Sequence, residues 1–176
     1  MIFQETKLLG VYIIEPQKIS DNRGFFFRSF CQDEFKNYGL NPSIAQCNVS
    51  FNKKKGTVRG MHFQKSPKTE AKLVRCVRGS IYDVVIDLRP QSSSYCQWIS
   101  VELTADNYRM LYIPEGFAHG FQTLEDNTEV FYQMSESYFP EYSTGVRWND
   151  LAFDIKFPLE ITSISQKDQA YHDFIK

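Results

Sequence analysis

The sequence predicts a single all-β domain, a double-sheet jelly roll with short flanking helices, and three observations carry that reading. Short segments rich in Val, Ile, Phe and Tyr recur with turn signals between them: KLLGVYII, GFFFRSF, TVRGMHF, KLVRCVRG, SIYDVVIDLR, WISVELT, RMLYIP, HGFQTL and EVFYQM. Aromatic residues make up 15% of the chain, and Gly and Pro are scattered rather than clustered, which suits packed strands and not a disordered chain. Only QDEFKNYG and SQKDQAYHDFIK have a helical pattern, too little for a helical layer.

In chain order, KLLGVYII and GFFFRSF give the first strands. QDEFKNYG then reads as a helix with acids in its first turn and Gly39 as its stop. Arg78-Gly79 separates two strand-like runs and predicts a tight hairpin, and Ala105-Asp106-Asn107 predicts a second. SQKDQAYHDFIK closes the chain as a helix. With no repeat, low-complexity tract or linker, residues 1–176 read as one domain, long enough to bury roughly 70% of its extended surface. The mouth of such a roll is a natural ligand cavity.

Lys and Arg number 20 against 21 Asp and Glu, a net charge of −1. No global field is therefore available to recruit nucleic acid or an acidic membrane, and an anionic ligand needs a local cluster. Cys31, Cys47, Cys76 and Cys96 contain no C-x-x-C pair, which argues against a zinc ribbon or thioredoxin-type motif and predicts free buried thiols. The N-terminal apolar run is broken by Gly10 and Tyr12 without a basic leader, and no stretch has the length of a membrane span. The expected address is the cytoplasm.

Three histidines occur, at 62, 119 and 172. His62 lies in Arg59-Gly60-Met61-His62-Phe63-Gln64; taken alone, a histidine in such a strand is more often structural than catalytic. His119 ends Pro114-Glu115-Gly116-Phe117-Ala118-His119, whose P-x-G-x-x-H spacing matches the second half of the cupin signature. A metal-binding cupin also needs an H-x-H pair and a carboxylate in the first half, and only one histidine stands there. No metal is expected, and acid–base chemistry is the better use of His62. His172 is expected to face solvent. Asp168, in Ser165-Gln166-Lys167-Asp168, fits a helix capping pattern; it serves His62 only if the fold returns it there.

The blocks DNRGFF, QCNVS, GTVRGMHFQ, EAKLVRCVRGSIYDVVIDLR, LYIPEGFAHGFQTL, VFYQMSESY, RWND and SISQKD follow one another through nearly the whole chain. In that order and spacing the sequence resembles the dTDP-4-dehydrorhamnose 3,5-epimerases. The resemblance implies a jelly-roll cupin without metal or other cofactor, a homodimer with shared active sites, and a nucleoside-diphosphate 4-keto-6-deoxyglucose as substrate, in rhamnose and surface-polysaccharide synthesis. By similarity His62 is the base, Asp168 its carboxylate partner, Lys72 the cation facing the oxyanion at C4, and Tyr132 the acid on the opposite face. Nucleotide binding falls by similarity to Arg23, Phe26, Gln46, Asn48, Arg59 and Tyr138, with His119 also lining the pocket and Phe26 and Tyr138 placed to sandwich the base. Without the resemblance, the favoured reading is Lys72 as a solvated strand residue and Tyr132 as core.

Two positions depart from the family pattern. Arg28, in Arg23-Gly24-Phe25-Phe26-Phe27-Arg28-Ser29-Phe30, stands where the family commonly has an acid, beside the nucleotide-binding residues. Gln133 follows Tyr132 where a lysine is common, which removes a cation near the acid. The alternatives these leave open are epimerisation of one carbon and a CDP-linked or other substrate; a sugar-nucleotide-binding cupin without activity is a separate reading, against which the complete set of His62, Lys72, Tyr132 and Asp168 argues.

Overall fold

The computed structural model describes residues 1–175. Its strands are β1 (Ile2–Glu5), β2 (Tyr12–Glu15), β3 (Ile19–Asp21), β4 (Gly24–Phe26), β5 (Gln46–Asn52), β6 (Val58–Gln64), β7 (Lys72–Arg78), β8 (Ser80–Asp87), β9 (Trp98–Thr104), β10 (Met110–Ile113), β11 (Phe117–Thr123), β12 (Thr128–Met134) and β13 (Ser143–Gly145). Two helices interrupt them, α1 (Gln32–Asn37) and α2 (Gln166–Gln169). A six-stranded sheet runs β1-β2-β10-β7-β12-β5 and a five-stranded sheet runs β13-β6-β11-β8-β9, with β3 and β4 forming a separate ribbon. Every pairing within them is antiparallel. This is the expected double-sheet jelly roll.

Between the sheets, Val74, Leu111 and Val130 meet Val85, Val101 and Phe121 in the main core. Each fully buried aliphatic side chain there contributes roughly 1.5–3 kcal/mol. Both outer faces are partly covered as well. α1 brings Phe35 against Leu73, Met110 and Tyr112 on the six-stranded sheet, and Phe153, Ile155 and Val146 cover Met61, Val84 and Ile86 on the other. That double coverage explains why SIYDVVID and FAHGFQT are buried almost without alternation, polar residues such as Asp83, His119 and Gln122 included.

Three expectations are corrected. Arg78-Gly79 and Ala105-Asp106-Asn107 do turn the chain, but neither closes a hairpin. Each carries it from one sheet to the other: β7 pairs with β10 and β12, whereas β8 pairs with β9 and β11. Gly79 has φ +75°, and a Cβ there would lie 2.5 Å from Thr128 Oγ1, so the turn residue is right while the partner strand is chosen by the sandwich. The C-terminal helix is one short turn, Gln166–Gln169. Beyond it Phe174 joins the cluster under Phe153, its amide donates to Asp150 Oδ2 at 2.6 Å, and Arg147 pairs with Asp173, contacts that a continued helix would forfeit. Of the four free thiols only Cys76 is buried, which pushes it up to about 11; Cys47 is exposed. His172 is exposed, as expected. No helix among the described residues is long and apolar enough to cross a membrane.

Candidate active site

A cavity of about 640 Å³ opens between the two sheets. Its position follows from how β6 and β11 meet. Gly60 has φ +128°, and a Cβ on it would sit 2.5 Å from Gly120 Cα and 2.9 Å from His119 O, so only glycine lets the strands close there. The β6–β11 register shifts at the same place, between His119 and Phe121. His62 follows two residues after Gly60 and lines the cavity.

Asp168 is brought to it from a distance of 106 residues in sequence. Ser165 caps α2, its hydroxyl accepting from the Asp168 amide at 3.0 Å, and the capping pattern is thus real. The Asp168 carboxylate is left free to point elsewhere: Oδ1 lies 2.6 Å from His62 Nε2, and Oδ2 accepts from the Gly60 amide at 3.4 Å. Burial by itself would raise the Asp168 pKa, but the bond to His62, its charge and the Gly60 amide outweigh burial and hold the carboxyl below its ordinary value. An ionised carboxylate only accepts, so Nε2–H is the donor, and Nδ1 carries the lone pair. The imidazole is 41% exposed and Asp168 only 6%: a buried carboxylate holds an imidazole that faces the cavity. The Tyr171 ring stands edge-on to the imidazole with centroids 6.2 Å apart.

The opposite wall comes from the six-stranded sheet. Register places Gln46, Met134 and Lys72 in one row and Asn48, Tyr132 and Val74 in the next. Lys72 is buried and donates from Nζ to Glu70 Oε1. It is therefore not a solvated strand residue. Burial raises the Tyr132 phenol above its ordinary value and the Glu70 charge adds to this, with Arg59 opposing. Arg59 donates from Nε to Asn52 Oδ1 at 2.7 Å, and Gln46 Oε1 accepts from the Tyr138 amide at 2.8 Å.

His62, Lys72, Tyr132, Asp168, Gln46, Asn48, Arg59 and Tyr138 thus share one cavity. Four expected members do not. His119 is the cross-strand partner of His62 in the β-ladder, yet its Nε2 bonds the fully buried Asp83 at 2.7 Å and it is not part of the cavity wall. Arg23 pairs with Asp21 at 2.6 Å on the β3–β4 ribbon, where it is 85% exposed. Phe26 and Arg28 line a different cavity of about 570 Å³, and Arg28 pairs with Glu34 at 3.1 Å. Within the chain, Phe26 and Tyr138 therefore do not sandwich anything. Gln133 is also corrected: alternation along β12 puts it on the opposite face from Tyr132, against a small cavity beside Phe30 and Phe35.

Sequence reasoning missed Glu70 and Lys167 on the cavity wall. Each had a signal: Glu70 is two residues from Lys72, and Lys167 adjoins Asp168 in SISQKD. Among the described residues no group of three or more His, Cys, Asp or Glu side chains is placed to hold a metal ion.

Comparison with known proteins supplies the family. A family model described as dTDP-4-dehydrorhamnose 3,5-epimerase matches residues 5–176. The dTDP-4-dehydrorhamnose 3,5-epimerase of Methanothermobacter thermautotrophicus is 44% identical over 170 residues, 95% of this chain and 91% of the relative. The crystal structure of the Bacillus anthracis enzyme of that name, with TDP and PPi bound, superposes with a TM-score of 0.94 at 40% identity, covering 98% of this chain and 99% of that one. A Legionella pneumophila dTDP-6-deoxy-D-glucose-3,5-epimerase in complex with dTDP-4-keto-L-rhamnose gives 0.89 at 35% identity, covering 97% and 90%.

Proposed function

The chain belongs to the dTDP-4-dehydrorhamnose 3,5-epimerase family, and from that premise we propose that it is an isomerase inverting C3 and C5 of dTDP-4-keto-6-deoxyglucose, with His62 as base. Both carbons are α to the C4 ketone. His62 Nδ1 removes the proton, the C–H bonding pair becomes the enolate, and the negative charge grows on the C4 oxygen. Lys72 is the cation placed for that oxygen, and charge developing beside a preorganised, buried cation is stabilised far more than in water. Tyr132, still a phenol at neutral pH, returns a proton to the opposite face. The carbon ends with the same atoms and the other configuration, with no net oxidation.

The observation that supports this most is the His62–Asp168 pair at 2.6 Å in the same cavity as Lys72 and Tyr132. The experiment is to incubate the protein with the dTDP-linked and CDP-linked keto sugars and identify the products. Conversion of the dTDP sugar to dTDP-4-keto-L-rhamnose is expected; conversion of the CDP sugar alone, or inversion at one carbon only, overturns the proposal.

The functional unit in this reading is a homodimer, acting in the cytoplasm in deoxysugar and surface-polysaccharide synthesis. Support for shared sites comes from the β3–β4 ribbon, which carries Arg23 and Phe26 away from its own cavity and leaves Phe26 68% exposed. In a dimer the ribbon contributes them to the nucleotide end of the second cavity. Arg28, beside them, then reaches the nucleotide only by giving up Glu34. Mixing His62→Ala with Arg23→Ala subunits is expected to restore activity that neither has alone; mixtures as poor as the separate variants contradict the shared site.

A further inference from the structure

Three buried side-chain polar atoms lack a hydrogen-bond partner among the described residues: Glu70 Oε2, Asp83 Oδ2 and Tyr171 Oη. Only Glu70 among these residues lines the cavity. Its side chain is 5% exposed, and its other oxygen already accepts from Lys72 Nζ. A desolvated carboxylate oxygen without a donor is unfavourable, and the ligand that enters the cavity is the group able to relieve it. A phosphate is excluded as that group, because two anions would be pressed together out of water. A neutral donor remains, and on a keto sugar that is a hydroxyl.

We propose that Glu70 is a positioning and specificity residue of this site, one oxygen fixing the Lys72 ammonium and the other accepting a hydrogen bond from the sugar hydroxyl next to the ketone, at C3. The inference rests on the function proposed above, which sets Lys72 at the C4 oxygen. Glu70 and Lys72 are hydrogen-bonded to each other, so a donor and an acceptor stand side by side. A ketone oxygen and the hydroxyl of the adjacent carbon present the complementary pair. The arrangement selects sugars with a C3 hydroxyl, since a ligand without it leaves Oε2 buried and unpaired.

The test measures TDP affinity, affinity for dTDP-4-keto-6-deoxyglucose and affinity for its 3-deoxy analogue, on wild type and on Glu70→Gln. The amide has one acceptor where two donors converge, and it lacks charge. The variant is expected to hold TDP as wild type does but to bind the keto sugar about tenfold or more weakly, the loss of a charge-assisted hydrogen bond. Wild type is expected to bind the 3-deoxy analogue weaker by a similar factor, a measurement that needs no variant. On that analogue the two proteins should differ little. Equal loss of TDP and keto-sugar affinity, or undiminished wild-type affinity for the analogue, overturns the assignment. Wild type that binds TDP but never converts the keto sugar overturns the function beneath it instead.

Discussion

His62→Ala is expected to lose solvent exchange at both C3 and C5, because in the proposed reaction one imidazole serves both carbons. Loss of a general base costs roughly a hundredfold to ten-thousandfold, and no neighbour can substitute. Tyr132, its pKa raised by burial and then by Glu70, stays protonated at neutral pH and cannot act as base. Asp168 is buried and already committed to Nε2 and to the Gly60 amide. Lys72 is held by Glu70. Asp168→Asn should follow in the same direction, since an amide oxygen can hold the tautomer but no longer supplies the charge that steadies the imidazolium. Exchange at either carbon persisting at wild-type rate in His62→Ala would remove that residue from the mechanism.

Tyr132→Phe separates proton removal from inversion. The variant keeps the His62–Asp168 pair and Lys72, so enolate formation and exchange continue, within about tenfold of wild type. Product formation falls by roughly a hundredfold or more, the usual contribution of a positioned acid. The pH dependence has a definite sign. A phenol whose pKa lies above the ordinary value donates at every pH below it, and its contribution disappears only as pH rises through that raised value. Wild type should therefore hold its rate past the ordinary tyrosine range, and the alkaline fall should be absent from Tyr132→Phe. A parallel loss of exchange and product would reduce Tyr132 to a packing residue.

The strands were legible because apolar runs and turn residues are local signals. The pairing between them was not. Gly79 announces a turn wherever the chain goes next, and whether Ser80 onward folds back beside β7 or crosses to the facing sheet is decided by burying both faces of β7 and β8. The same competition trimmed the C-terminal helix: SQKDQAYHDFIK has helical spacing, but Phe174 gains more from Phe153 than from another turn. In the site, Asp168 shows the two levels together. Its spacing from Ser165 correctly gives a cap, which uses the backbone amide, and nothing in that spacing reveals that the carboxylate meets His62 106 residues away. His119 shows the reverse. Its signature spacing marks a tight turn, yet Asp83, invisible in any local motif, draws the ring into a buried pair. Arg23 and Phe26 sit on the β3–β4 ribbon, and neither they nor Arg28 line the cavity that holds His62, a separation that no local motif announces.

In the proposed reaction, one base on one face of the sugar opens both α-carbons of the ketone. Its most direct measurement is wild-type protein with dTDP-4-keto-6-deoxyglucose in heavy water, with deuterium followed at each carbon by NMR. Label is expected at C3 and at C5 in the inverted product, and none at C2, which is not adjacent to the ketone. Inverted product carrying protium at either carbon would contradict it.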